Sequence, residues 1–384
     1  MSSFSVGKNI KVSIFGESHG AVIGGVIDGL PYGQKIDMNK LQEFMKRRSP
    51  GDDKYITKRR EKDEIQFLSG IKNNTIMGDP VAILIENNDV VPDDYKDLVD
   101  IPRPSHVDFA AKAKFGEDIN LSGGGHFSGR LTAVLTAFGG IAKQILEKEN
   151  IHVSAHLYRI RDFVDKSHSE AENIERAMRI SENNKYYIID ENGVESIDKI
   201  FEELRKEKDS TGGIVECSVI GLRSGIGDPI FDGIENRISR MIFAIPGIKG
   251  IEFGSGFDGS LKLGSENNDE FYISEGEVKT TSNNSGGILG GMSNGMPINL
   301  KVAFKPTPSI GKGQNSINLK TGKNVIIEIK GRHDPCIAIR GVVVVESVVS
   351  LVILDYLINE LIIWGINIWN TVYSGKILFI VFLP

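Results

Sequence analysis

Six short segments concentrate the side chains that could do chemistry. Phe15-Gly16-Glu17-Ser18-His19-Gly20 brackets an acid, a hydroxyl and an imidazole between glycines. It directly follows a strand-like stretch. His19 is either a surface side chain on a turn or a proton donor, because imidazole titrates near neutrality. Lys46-Arg47-Arg48-Ser49-Pro50-Gly51, followed by Lys54, Lys58, Arg59 and Arg60, is a cationic run bent by Pro50-Gly51. It reads as a solvated charge run or as an anion clamp, since guanidinium grips phosphate and carboxylate bidentately. In Arg103-Pro104-Ser105-His106-Val107-Asp108, Ser105 is placed to cap a helix starting near Val107. That would set His106 at the positive end of the helix; the alternative is a plain capping turn.

The fourth segment, Leu121-Ser122-Gly123-Gly124-Gly125-His126-Phe127-Ser128-Gly129-Arg130, leads into a strongly amphipathic stretch. A Gly-rich loop entering a helix is an anion site. Neither Rossmann spacing nor a Walker lysine is present. The fifth is Ser282 to Gly291, containing Gly290, followed by Lys305-Pro306-Thr307-Pro308-Ser309-Ile310. The sixth is Gly331-Arg332-His333-Asp334-Pro335-Cys336. No ligand-like spacing accompanies His333 and Asp334, so no metal is expected there.

These segments must be held by regular elements. Strand-like runs are expected at Lys11–Phe15, Gly25–Asp28, Ile65–Ser69, Val81–Ile85, Gly213–Ile220, Ile298–Phe304 and Val325–Ile329. The clearest helix is Ser128 to Glu149, where Leu131, Val134, Leu135, Phe138, Ile141, Ala142, Ile145 and Leu146 recur at helical spacing. Further helices are expected at Met38–Arg48, Val107–Lys114, Ala171–Ile180, Ile197–Lys206, Gly233–Phe243 and Val345–Asn359. Strands come in adjacent pairs rather than alternating with helices, which favours an α+β fold with antiparallel sheets.

Bulk properties narrow the classes. The 384 residues are 40% apolar and 25% charged with a net charge of −6. That balance argues against nucleic acid as the main partner, because phosphate backbones demand a basic footprint. Cys217 and Cys336 are far apart and read as reduced thiols; with no leader pattern in Met1–Gly7, a cytoplasmic protein is expected. Residues 1–360 read as one catalytic domain. Residues 361–384 form an atypical apolar tail, too interrupted by Gly365, Asn367, Asn370, Ser374, Gly375 and Lys376 to be read as a membrane span.

Together, and in order, the six segments resemble the chorismate synthase family over residues 16 to 336. The resemblance implies a layered β-α-β sandwich and a homotetramer. It implies 1,4-elimination of phosphate from 5-enolpyruvylshikimate 3-phosphate with reduced FMN and no net redox change, NADPH being a candidate reductant. By motif, His19 would donate a proton to the reduced flavin and His106 would protonate the leaving phosphate. Asp334 would help the flavin N5 act as base. Arg47, Arg48 and Lys54 would meet the anionic substrate or a nicotinamide cofactor. The flavin would contact His126, Phe127, Ser128, Pro246, Gly247, Gly290, Lys305, Pro306, Thr307, Pro308, Ser309 and Arg332. Arg130 and Arg340 add two substrate cations on chemical grounds. His126 stands where members commonly carry another residue, and Val342 to Val345 departs from the family pattern. Histidines beside a phosphate are expected to be biased toward protonation. The rival readings are a flavin oxidoreductase transferring hydride, and a non-enzymatic anion-binding protein.

Overall fold

Strict alternation builds the first sheet. Val81, Ile83 and Ile85 are buried while Ala82, Leu84 and Glu86 are not, the period-two pattern of a strand with one face on a core. In the computed structural model, which describes residues 3–49, 63–88, 100–329 and 334–363, this strand (Val81–Glu86) belongs to a five-stranded antiparallel sheet. The order is Ser5–Val6, Lys11–Gly16, Val22–Asp28, Val81–Glu86, Gln66–Ser69. The second five-stranded sheet runs Ile248–Phe253, Ile298–Phe304, Gly213–Ile220, His152–Ile160, Phe163–Val164, again with all neighbours antiparallel. Lys54, Arg332, His333 and residues 364–384 lie outside the described residues.

Helices Thr132–Lys148 and Ala338–Ile363 form the layer between the sheets. Their close approach is written into Gly139: a Cβ there would lie 2.2 Å from the Cβ of Ser347, so only glycine lets the two backbones meet. Over Ala338–Ile358 the second helix has mean hydropathy 2.2, long and apolar enough to cross a membrane, yet 89% of its apolar window is buried in the protein. A helix apolar all round belongs inside a core, and this one lies between two sheets.

Some boundaries moved. The last helix starts at Ala338, seven residues before Val345. The β-branched run Val342–Val345 is helical because burial outweighs a propensity difference of a few tenths of a kcal/mol per residue. The helix expected from Ala171 begins at Ile174, where the Asn173 side chain caps Arg176 N at 2.8 Å. Strands His152–Ile160 and Ile248–Phe253 were not anticipated. In the first, polar His152, Ser154, His156 and Tyr158 alternate with Val153, Ala155 and Leu157, so a period-two signal was present. Both faces of that strand are nevertheless buried around His156.

Candidate active site

Three consecutive glycines make the loop ahead of the central helix. Gly123, Gly124 and Gly125 have φ of 59°, 93° and 52°, values that side chains with a Cβ rarely adopt. The carbonyl of Gly125 accepts from Ser18 N at 3.1 Å, tying the loop to the first sheet. Ser128 Oγ then accepts from Arg130 N at 3.3 Å, and a short turn, Gly129–Leu131, leads into Thr132–Lys148. The positive end of a 17-residue helix therefore faces a cavity of about 630 Å³.

Guanidinium groups from distant segments meet at this cavity. Arg48, Arg130 and Arg340 all line it. Asp63 lies between the first two: its Oδ2 accepts from Arg48 Nε at 3.1 Å and Nη2 at 2.5 Å, and its Oδ1 accepts from Arg130 Nη1. Arg130 also donates to Asn87 Oδ1 at 2.8 Å and to the Glu86 carbonyl at 3.0 Å. Arg340 donates from Nε to the Arg48 carbonyl at 2.9 Å and from Nη1 to Asp334 Oδ2 at 3.1 Å. Burial lowers the Arg48 pKa to about 10; Asp63 opposes this, and Arg340 and Arg130 add to it. Arg48 is still cationic at neutral pH. Burial raises the Asp334 carboxyl pKa against the pull of Arg340, and Asp334 Oδ1 is buried with no hydrogen-bond partner among the described residues.

His106 enters from another side, held by its own segment. Its Nδ1 lies 2.6 Å from Asp108 Oδ1 and 3.0 Å from Arg103 Nη2. One ring nitrogen cannot donate to the first and accept from the second, and the shorter contact assigns Nδ1–H to Asp108. The other nitrogen, Nε2, then lies on the side of Gly124. Arg103 fixes Asp108 through its backbone N at 3.0 Å, Nε at 2.7 Å and Nη2 at 2.8 Å. Here one expectation is corrected. Ser105 caps nothing: it sits at φ 58°, its carbonyl accepts from Lys305 Nζ, and the helix Asp108–Phe115 has no side-chain cap. The protein's own groups bias His106 away from protonation. Burial lowers its pKa, Asp108 raises it, and Arg103 and Lys305 lower it further, leaving it below the ordinary value.

Of the remaining residues singled out by sequence, His126, Phe127, Ser128, Pro246, Gly247, Lys305, Thr307 and Pro308 line the cavity. The His126 and Phe127 rings lie 4.1 Å apart, and Phe115 meets His126 edge-on. Thr307 Oγ1 is buried without a partner among the described residues. Ser309 Oγ accepts from Arg103 Nη1 at 3.3 Å, just outside the lining with Pro306. His19 packs behind the loop: a Cβ on Gly123 would lie 2.0 Å from its Cε1, and its Nδ1 is 3.2 Å from Ser18 Oγ. Arg47 turns away, pairing with buried Glu346 at 3.1 and 2.9 Å beside the Phe44 and Tyr187 rings. Gly290 occupies the turn of hairpin Ile288–Leu289/Met292–Ser293, away from the cavity. Sequence reading passed over Asp63, Arg103 and Asp108. The last two stand inside a motif already marked; Asp63 sits in a mixed charge run with no distinguishing signal.

A helix N-terminus, clustered guanidinium groups and an Asp-oriented imidazole thus meet at one cavity of an α+β protein. The sequence model described as chorismate synthase matches residues 10–358. The chorismate synthase of Korarchaeum cryptofilum is 38% identical over 355 residues, 92% of this chain and 97% of that relative. Those of Lancefieldella parvula and Prochlorococcus marinus strain MIT 9301 are 41% and 42% identical, each over 93% of this chain and 97% of the relative. A solved structure titled crystal structure of chorismate synthase superposes with TM-score 0.74 at 25% identity, covering 93% of this chain and 94% of its own. The chain belongs to the chorismate synthase family, carbon–oxygen lyases that eliminate phosphate.

Proposed function

We propose that this chain catalyses the 1,4-elimination of phosphate from 5-enolpyruvylshikimate 3-phosphate to give chorismate, with reduced FMN as cofactor and NADPH as a candidate reductant. The observation that carries the reading is the convergence of Arg48, Arg130, Arg340, Lys305, His106 and Asp334 on one cavity. A substrate with two carboxylates and a phosphate needs that many cations, and hydrogen-bond donors fixed in advance stabilise charge as it develops on the leaving group.

The residues present fit a flavin phosphate and ring. The glycine loop leaves its backbone open at a helix N-terminus, Thr307 Oγ1 and Asp334 Oδ1 are orphaned polar atoms, and Phe127, Ile337 and Val344 supply apolar wall. The cradle is assigned to His126–Ser128, Pro246–Gly247 and Lys305–Ser309; Arg332 and Gly290, the latter outside the cavity lining, are retained by motif alone. When bound, reduced FMN lends electron density to the departing system and recovers it. Arg48, Arg130 and Arg340 bind and orient the anionic substrate; Lys54 is retained by motif, and Arg47 serves as the core partner of Glu346. His106 donates a proton from Nε2 to the leaving phosphate, while Asp108 holds the ring through Nδ1. The approaching phosphate supplies the negative charge that offsets Arg103 and Lys305, raising the His106 pKa when an acid is needed. Asp334 can carry a proton at Oδ1, and His19 is the second proton donor, behind the glycine loop.

Residues 1–360 are read as one catalytic unit, cytoplasmic and homotetrameric. The exposed Phe231, Phe257 and Leu261, at 89, 78 and 86% exposure, support an intersubunit surface. Anaerobic incubation with substrate and dithionite-reduced FMN should release phosphate and develop chorismate absorbance. Folded protein that releases no phosphate, or that turns over equally without flavin, refutes the assignment.

A further inference from the structure

A second cluster of ionisable groups lies on the opposite face of the second sheet from core residues Val215, Cys217 and Val219. His156 and Glu216 face each other in register on adjacent strands, and the turn His168–Glu170 covers them. His156, His168, Glu216 and Asp165 are all buried. Nδ1 of His156 lies 3.2 Å from Asp165 Oδ2, and its Nε2 lies 2.9 Å from Glu216 Oε2. Nδ1 of His168 lies 3.0 Å from Ser218 Oγ; its Nε2 is buried and has no hydrogen-bond partner among the described residues. A ring nitrogen of each histidine and a Glu216 oxygen fall within 4.8 Å of one another.

The surroundings hold these groups in place. Asp165 accepts from Ile189 N at 2.6 Å and Asp190 N at 2.9 Å. Glu216 accepts from Ser167 Oγ and His168 N, each at 2.7 Å, and Ser218 Oγ donates to Asn299 Oδ1 at 2.7 Å. Both imidazoles therefore have one nitrogen held by an outer partner, the arrangement that orients metal-binding histidines.

Lys301, opposite Glu216 in register, places its ammonium 4.4 Å from the Tyr158 ring.

We propose that His156, His168 and Glu216 form a binding site for a divalent transition metal, Zn²⁺ being the ion this donor set suits, separate from the catalytic cavity. Two imidazoles and one carboxylate are a zinc donor set, with the fourth position left to water. Asp165 and Ser218 are the outer partners. On binding, His156 gives up its proton to solvent and its Nε2 lone pair turns to the metal. Two positive charges then balance the Asp165 and Glu216 carboxylates. The ion enters from a neighbouring cavity of about 380 Å³, which Glu216 borders together with Glu252, Asp258 and Asn299 and with two lysines, Lys262 and Lys301. Bound there, it pins the His168–Glu170 turn to the sheet.

Chelator-stripped full-length protein dialysed against Zn²⁺ should retain one equivalent per chain. Co²⁺ in its place should give the visible absorption of a four-coordinate nitrogen–oxygen site. Glu216→Gln and His168→Ala should abolish both signals, Asp165→Asn should weaken affinity by about 10- to 100-fold, and His106→Ala should leave binding unchanged. Zinc-edge X-ray absorption on the unmodified protein, which needs no variant to fold, should reveal two imidazoles. Protein that retains no zinc, metal without two imidazole ligands, or binding unaltered in folded Glu216→Gln and His168→Ala each overturns the proposal and leaves the cluster a hydrogen-bond network.

Discussion

Replacing Asp63 with Asn keeps its shape and removes the charge between two buried guanidinium groups. The side chains of Arg48, Arg130 and Asp63 are only 3, 2 and 0% exposed, so solvent screening does little for them. Breaking a buried pair by deleting one partner costs about 3–5 kcal/mol, because an uncompensated charge remains. With an unfolding entropy of about 2.1 cal/mol/K per residue, that corresponds to a Tm drop of roughly 4–6 °C for a chain this long. The sign with pH follows from the carboxyl. Burial raises the Asp63 pKa, but Arg48 and Arg130 outweigh it and hold the net value below the ordinary range. The stabilisation is therefore present above the unfolded-state pKa and is lost as pH falls through the folded one. Thermal unfolding of both proteins from neutral to acid pH should give a difference that narrows toward acid. Inorganic phosphate should raise the Tm of Asp63→Asn more than that of the parent, because the guanidinium groups that lose the Asp63 charge accept an anion. An unchanged Tm at neutral pH, or equal stabilisation of both proteins by phosphate, would refute the electrostatic bridge.

His106→Ala should lower kcat by about ten- to ten-thousandfold, the range for a general acid, with a smaller effect on KM. Asp108→Asn removes the group that raises the His106 pKa and leaves burial, Arg103 and Lys305, which lower it. The alkaline limb of the kcat–pH profile should therefore move to lower pH, and an unmoved limb would separate His106 from the acid role. Gly123→Ala places a Cβ at φ 59° and 2.0 Å from His19 Cε1. It should weaken FMN binding and cost about 1–2 kcal/mol of stability from backbone strain alone. Gly129→Ala, whose Cβ meets nothing within 4 Å, is the control and should be tolerated in both assays. Truncation after Glu360 should preserve FMN binding and phosphate release while altering solubility or assembly, since Ile377–Leu383 is an uncharged, β-prone run. It should also abolish tryptophan fluorescence, because Trp364 and Trp369 are the chain's two tryptophans; loss of FMN binding in a folded truncate would place the tail at the site.

Local order carried most of the elements and the family. Leu131 to Leu146 repeats at helical spacing, Val81 to Ile85 alternates, and Gly123-Gly124-Gly125 precedes a helix, each within one short stretch of neighbouring residues. Such patterns are legible because periodicity and backbone strain are properties of adjacent residues. Where tertiary burial set the local conformation, sequence reading slipped. The valines at 342–345 are helical, and His152–Ile160 is a strand with its polar face also covered.

The candidate site divides along the same line. By itself the sequence placed arginines, histidines and glycine loops at six places, in an order that resembles the chorismate synthase family. Which of them meet was decided only by the tertiary structure. Arg47 and Arg48 are neighbours in sequence, but successive side chains on a helical turn point about 100° apart. One enters the core against Glu346 and the other reaches the cavity. Asp63, Arg130 and Arg340 reach Arg48 from separate elements, and His156, Glu216 and His168 meet only through strand register and a covering turn. Charge pairing and metal-ligand distance act through space, over a few ångströms, and sequence separations of 15 to 292 residues hold no record of them until the chain has folded.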